Sequence, residues 1–334
     1  MSGDTVRLAH GGGGRLQQTL LEAEILPALG IEARGAPDAV VLEAPAGRLA
    51  LTTDSYVVRP LFFPGGDIGS LAVHGTVNDL AMAGARPLWL TLGLVLEEGL
   101  PFADLKRVLA SVRAAAAACG TRVVAGDTKV VEAGRCDGMY INTAGVGVVP
   151  AGVDPSPVAI RPGDRLLVSG DVGRHGVAVL AAREALGLEP PVESDSAPVA
   201  GAVAALLEAG VPLRALRDPT RGGLAAALNE LAAASACRVV LEEAAVLVRE
   251  DVRGACEILG LDPLHSASEG CFLAFVPADR AEDALAVLRA REDTAGAALI
   301  GHAEEGEPGV VRRLPTGVER LLILPAGEQL PRIC

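Results

Sequence analysis

The sequence predicts a mixed α/β protein of two domains, and three observations carry that expectation. Strand-like and helix-like segments alternate along both halves. Pro155, Pro157, Pro162 and Gly163 cluster where the halves meet, near residue 155. Half of the 334 residues are hydrophobic, enough for two cores of ordinary size. Aromatics are only 2%, so those cores are built from Ala, Val, Leu and Ile. The expected units are residues 1–155, residues 156–323 and a C-terminal tail, 324–334.

Each element follows from local pattern. Leu16, Leu20, Leu21 and Ile25 recur at helical spacing after the run Gly11, Gly12, Gly13, Gly14. Residues 39–44 and 48–53 read as strands joined by a turn at Pro45-Ala46-Gly47. Asp67 caps a helix that runs to about Ala83, with Gly84 as its stop. A strand over 87–96, an Ala-rich helix over 102–118, a strand over 121–125 and another over 139–149 complete the first half. In the second half the pattern gives strands over 165–169, 238–242, 271–276 and 297–301. Helices fall over 176–186, 197–209, 222–235, 250–258 and 280–290. Leu322 to Cys334, with two prolines and a glycine, reads as an extended tail. Its last ten residues span up to ~33 Å when extended, enough to enter a site elsewhere in the molecule.

Composition excludes several classes. A net charge of −13 without a basic stripe argues against nucleic-acid binding, since phosphate backbones need basic faces. No apolar stretch is long and uninterrupted enough to span a bilayer, and Met1-Ser2-Gly3-Asp4 does not begin a signal peptide, so a cytoplasmic protein is expected. The six cysteines form no C-x-x-C pair, which disfavours a zinc site or dithiol motif and predicts free thiols.

The chemistry resides in separated acidic turns. There is no phosphate-binding G-x-x-x-x-G-K-[ST] motif, and the glycine run lacks a dinucleotide context. Asp54, Asp79, Asp127 and Asp218 instead stand where strands or helices end, and Asp54 and Asp127 have threonines beside them. Hard carboxylate oxygens of this kind suit Mg²⁺ beside a polyphosphate. Any one of them alone would ordinarily be a turn or cap residue. Asp67 is left as a cap, because a continuous helix would set it ~18 Å from Asp79. Asp218-Pro219-Thr220-Arg221-Gly222-Gly223 enters a helix whose free N–H groups suit phosphate, and Ser169 to Gly176 is a second glycine-rich turn of the same kind. Lys129 follows Asp127 and could neutralise charge on phosphate or move a proton. Glu269, with His265 nearby, is a candidate base, although for His265 an ordinary loop role is preferred. Cys334 ends the sequence, and its thiol is a nucleophile and acyl carrier unsuited to a core.

Leu51 to Ser55, Phe62 to Gly69, Val77 to Ala85, Gly126 to Lys129 and Asp218 to Leu224 resemble the aminoimidazole ribonucleotide synthetase superfamily. Within it, Ala9 to Gly14, Asp127 to Val131, Arg249 to Pro263 and the terminal Pro331-Arg332-Ile333-Cys334 are similar to the carbamoyl dehydratases of hydrogenase maturation. The resemblance implies a two-domain α/β fold whose N-terminal domains pair through their sheets in a homodimer. It implies Mg²⁺ on Asp54, Asp79, Asp127 and Asp218. It implies ATP on Gly11, Gly12, Gly13, Gly14, Thr53, Asn78, Thr128, Arg221, Gly222 and Gly223. A partner carbamoyltransferase would load Cys334, and ATP would drive dehydration to a thiocyanate, with Lys129 and Glu269 handling protons. The cyanide would pass to an iron-holding scaffold complex of the HypC–HypD type. The alternatives are a sister enzyme making selenophosphate or a purine intermediate, or a non-catalytic scaffold. No cysteine precedes Cys119, which disfavours the selenophosphate chemistry.

Overall fold

The computed structural model describes residues 5–31, 39–324 and 333–334. The N-terminal half contains strands β1 (Arg48–Tyr56), β2 (Arg86–Glu97), β3 (Arg122–Val131) and β4 (Met139–Val149). Among the described residues they form one sheet in the order β1-β4-β2-β3, with β2 and β3 parallel and the other pairs antiparallel. Helices α1 (Ile68–Met82) and α2 (Phe102–Ala118) pack on one face, which alternation fills with Leu90, Leu92, Leu94, Leu96 and Ile141. Asp67 caps α1 as expected, accepting from the Gly69 and Ser70 amides at 2.7 and 3.1 Å. The other sheet face leaves Leu49 58% and Leu51 76% exposed.

The second half holds β5 (Arg165–Val168), α3 (Arg174–Arg183), α4 (Ala200–Glu208), β6 (Ala215–Arg217), α5 (Gly223–Ser235), β7 (Arg238–Glu242) and α6 (Glu250–Leu259). These are followed by β8 (Leu273–Val276), α7 (Ala281–Arg289), β9 (Ala298–Glu304), β10 (Gly309–Arg313) and β11 (Glu319–Leu321). The strands lie in the order β11-β10-β7-β9-β5-β8-β6 among the described residues. Most pairs are antiparallel, and β7 and β10 are parallel.

Three expectations fail for physical reasons. Residues 39–44 form no strand: Val41 is 94% exposed and no neighbouring strand pairs with the segment. Gly126 to Lys129 is not a strand end but lies inside β3, because β2 continues alongside it and supplies a ladder partner for every residue. The three-residue edge strands β6 and β11 were not expected, being too brief for a periodic signal, and neither was β10, which lies between β11 and β7. Of the tail, residues 325–332, including Pro331 and Arg332, lie outside the described residues. The cysteines among the described residues are free thiols, as expected. Among the described residues no helix is long and apolar enough to cross a membrane.

The domains are joined by an amide clamp. Asn78, on α1, donates to the Ala197 and Glu269 carbonyls at 3.0 and 3.2 Å and accepts from the Val199 amide at 2.8 Å. His74 bonds Ser196 one turn earlier, at 3.1 Å.

Candidate active site

The sheet edge β1, the end of α1, the turn before α5 and the loop before β8 converge on one cleft between the domains. On β1, Thr52 and Asp54 share the inner face with buried Tyr56, and the Thr52 hydroxyl donates to Asp79 at 2.8 Å. Burial raises the Asp79 carboxyl, Thr52 opposes the shift, and the charge of Asp54 adds to it. Asp218 ends the turn after β6 and is buried. Loss of hydration pushes its carboxyl up to about 6, with Asp79 and Asp54 contributing. Arg221, Gly222 and Gly223 follow, and both glycines take left-handed conformations that start α5.

Glu269 completes the group. It is buried, and its carboxyl lies well above the usual range, first through burial and then through Asp218, Asp195, Asp54 and Asp79. Its backbone is held on both sides. Asp195 accepts from the Glu269 and Gly270 amides at 3.2 and 3.1 Å, while Asn78 and the Ala197 amide hold the Glu269 carbonyl. A Cβ on Gly270 would stand 1.8 Å from the Asp195 carbonyl oxygen. His265 donates to the Ile323 carbonyl at 3.1 Å.

The C-terminal dipeptide of the same chain enters this cleft. Ile333 is buried among N-terminal core residues, and the Val57 amide donates to the Cys334 backbone oxygen at 3.2 Å. Arg221 Nε lies 3.5 Å from the Cys334 sulfur. Burial pushes the thiol up to about 11; Glu269 adds to the shift and Arg221 opposes it.

Asp127 and Lys129 do not join this group within one chain. They pair with each other at 2.8 Å on exposed positions of β3, and the Lys129 ammonium holds the Asp127 carboxyl below its ordinary value. Asp54 aligns with Thr143, Thr143 with Leu92 and Leu92 with Gly126, so three strand spacings, roughly 14 Å, separate Asp54 from Asp127. Their side chains also lie on opposite faces. Gly11 to Gly14 stand beside β3 too: a Cβ on Gly11 would meet the Val130 nitrogen at 2.9 Å. Thr53 projects on the exposed face of β1 and bonds the Thr143 carbonyl at 2.9 Å. Thr128 is buried on the inner face of β3 and the Asn78 amide is fully engaged in the clamp, so neither side chain is placed for a nucleotide here. Period-two alternation about Asp127 and Lys129 is a signal that could have turned Thr128 inward. The role of Asp195 carries no such signal, because it lies 74 residues from the amide it holds.

Comparison with known proteins matches this arrangement to one family. Residues 36–149 match the description AIR synthase related protein, N-terminal domain, and residues 161–313 match its C-terminal domain. Over 334 residues the chain is 52% identical to carbamoyl dehydratase HypE of Azotobacter vinelandii, covering 99% of this chain and 97% of that protein. A crystal structure of hydrogenase maturation protein HypE in complex with ATP superposes with a TM-score of 0.93 at 47% identity, covering 99% of this chain and 100% of the other. A HypE chain crystallised in a HypE–HypF complex gives 0.81 at 42% identity, covering 94% and 100%. The chain belongs to the AIR synthase related family and, within it, to the HypE carbamoyl dehydratases.

Proposed function

We propose that this chain is an ATP-dependent carbamoyl dehydratase acting on its own Cys334 and supplying the cyanide ligand for the iron of nickel–iron hydrogenase. The observation that carries the reading is the Cys334 sulfur beside Arg221 and in the field of Glu269 and Asp54. A carbamoyl group on that sulfur places its oxygen and its amide hydrogens among these side chains. The carbonyl oxygen attacks the γ-phosphorus of ATP and ADP leaves. The carbon–oxygen bond then breaks with the oxygen departing as phosphate, and loss of both amide protons leaves S–C≡N. Phosphorylation turns a poor leaving oxygen into a good one. Glu269, its carboxyl raised well above the usual range by burial, receives an amide proton.

The residues fit Mg²⁺ with ATP. Asp54, Asp79 and Asp218 are mutually repelling hard donors. No three His, Cys, Asp or Glu side chains among the described residues already enclose a metal site. Mg²⁺ beside a nucleotide takes one or two carboxylates and fills its shell with phosphate and water. Such an ion supplies positive charge to the β- and γ-phosphates. Because cation binding needs the Asp218 carboxylate, Mg-ATP affinity should weaken as pH falls through about 6, approaching about tenfold per pH unit below it. Calorimetric titration across that range checks this, and a flat profile contradicts it.

A homodimer formed through the outer sheet faces accounts for the exposed Leu49 and Leu51. It also gives a role to the second half-site, Gly11 to Gly14 with Asp127 and Lys129: we place it against the partner subunit's acidic cleft, where Lys129 faces phosphate. The partners are a carbamoyltransferase that loads Cys334 and an iron-holding scaffold of the HypC–HypD type, in the cytoplasm.

The decisive experiment mixes the protein with its carbamoyltransferase, carbamoyl phosphate and ATP and weighs the C-terminal peptide. Cyanide in place of hydrogen on Cys334, absent in Cys334→Ala, is expected. An unmodified tail with ATP turnover indifferent to Cys334→Ala overturns the proposal.

A further inference from the structure

His175 occupies the second glycine-rich turn, at the start of α3, and is completely buried. Nε2 lies 2.5 Å from the Ile333 carbonyl oxygen. Nδ1 lies 2.8 Å from the Ser194 hydroxyl, and that oxygen accepts from the Ser196 amide at 3.0 Å. The partners fix the tautomer. A carbonyl oxygen only accepts, so Nε2 carries the hydrogen, and the Ser194 hydroxyl donates to Nδ1. The Phe63 ring meets the imidazole edge-on, with centroids 5.5 Å apart. Ser194 is itself anchored across the domain boundary, its amide donating to the Pro64 carbonyl at 2.8 Å. The ring is therefore held on two sides by the folded frame, and its remaining polar atom points at the tail.

We infer that His175 is the positioning residue that latches the C-terminal dipeptide of its own subunit into the acidic cleft, through Nε2–H and the Ile333 carbonyl. The latch acts one residue before the sulfur, so it fixes where Cys334 stands while leaving its side chain free for cargo. It reads the backbone rather than the side chain, and the buried Ile333 side chain adds apolar contact on the same residue. The Val57 amide on the Cys334 backbone oxygen is the second point of attachment, contributed by the other domain. Two points on adjacent residues set the direction of the chain end as well as its depth. The inference deepens the dehydratase reading above and rests on it for its biological meaning, although the docking itself does not.

The test separates the two. The full-length protein, without nucleotide or partner, is treated with iodoacetamide at one fixed pH, and the alkylation of Cys334 is followed by mass spectrometry. His175→Asn keeps a group that can bond Ser194 but is too short to reach Ile333. His175→Gln can bring its amide donor to the Nε2 position. We expect Cys334 in His175→Asn to react about tenfold faster than in wild type, the effect of one lost hydrogen bond on the docked–released equilibrium. In His175→Gln it should react within about twofold of wild type. The half-buried Cys119 and Cys136 serve as internal clocks of fold integrity and should keep their wild-type rates. If Cys334 reacts at the wild-type rate in the Asn variant, or equally fast in Asn and Gln variants, the latch is refuted. Should the Asn variant disturb the clocks, Ile333→Ala, which alters only the tail, replaces it: an unchanged Cys334 rate there refutes the docking, and a faster one supports it. None of these rates needs ATP or carbamoyl transfer, so a failure of the dehydratase reading leaves this measurement standing.

Discussion

Glu269→Gln should stop the reaction at the carbamoyl stage: the tail is loaded normally, but its conversion to thiocyanate slows by about 10²–10⁴-fold. The substitution preserves shape and leaves the backbone contacts to Asp195, Asn78 and Ala197 intact. It removes only the capacity to take a proton at that position. It also removes one of several acidic groups buried together, with Asp218, Asp79 and Asp54 nearby, so thermal stability should hold or rise. The combination is diagnostic, because a residue needed only for folding would lose both. Mass spectrometry of the C-terminal peptide after a single round, alongside a melting curve, reads the two quantities. Rapid thiocyanate formation by the variant would remove Glu269 from the mechanism.

Gly270→Ala should act through structure instead. Its Cβ would stand 1.8 Å from the Asp195 carbonyl oxygen and 2.8 Å from the attached carbon, both backbone atoms. Neither can yield without moving the segment that holds Glu269. Overpacking against backbone on this scale costs about 3 kcal/mol or more. For a domain of this size the melting temperature should drop by roughly 6–12 °C. Scanning calorimetry measures it; a shift under about 2 °C would mean that the loop and the Asp195 segment are not packed as described. Dehydration should fall as well, since displacing the Gly270 amide from Asp195 loosens the Glu269 backbone.

What could be read in advance divides along physical lines. Asp67 was legible because a cap is local: an acidic side chain, two nearby amides and a helix after it. The strand expected over 139–149 coincides with β4, with burial alternating residue by residue along it. The acidic residues Asp54, Asp79 and Asp218 were legible as types, and they lie within reach of one another's charge, with Glu269 beside them. What escaped depends on neighbours distant in sequence. Gly-Asp-Thr-Lys has turn composition, yet β2 holds it in a ladder. Asn78 was assigned to the nucleotide by its place in a motif, whereas its amide joins the domains. Asp127 and Lys129 were grouped with the acidic residues because chain order does not reveal which face of a sheet a side chain occupies. The tail's reach followed from its length, but His175, which receives it, lies 158 residues from Ile333.

The clamp at Asn78 has a mechanical consequence. One carboxamide grips both the catalytic loop and the segment leading to Val199, so a hinge opening there would break three hydrogen bonds and drag Glu269 away from Asp79. On the proposed reading, the cargo on Cys334 enters with the chain end while this carboxamide keeps the two domains in register, as a plunger enters a fixed barrel.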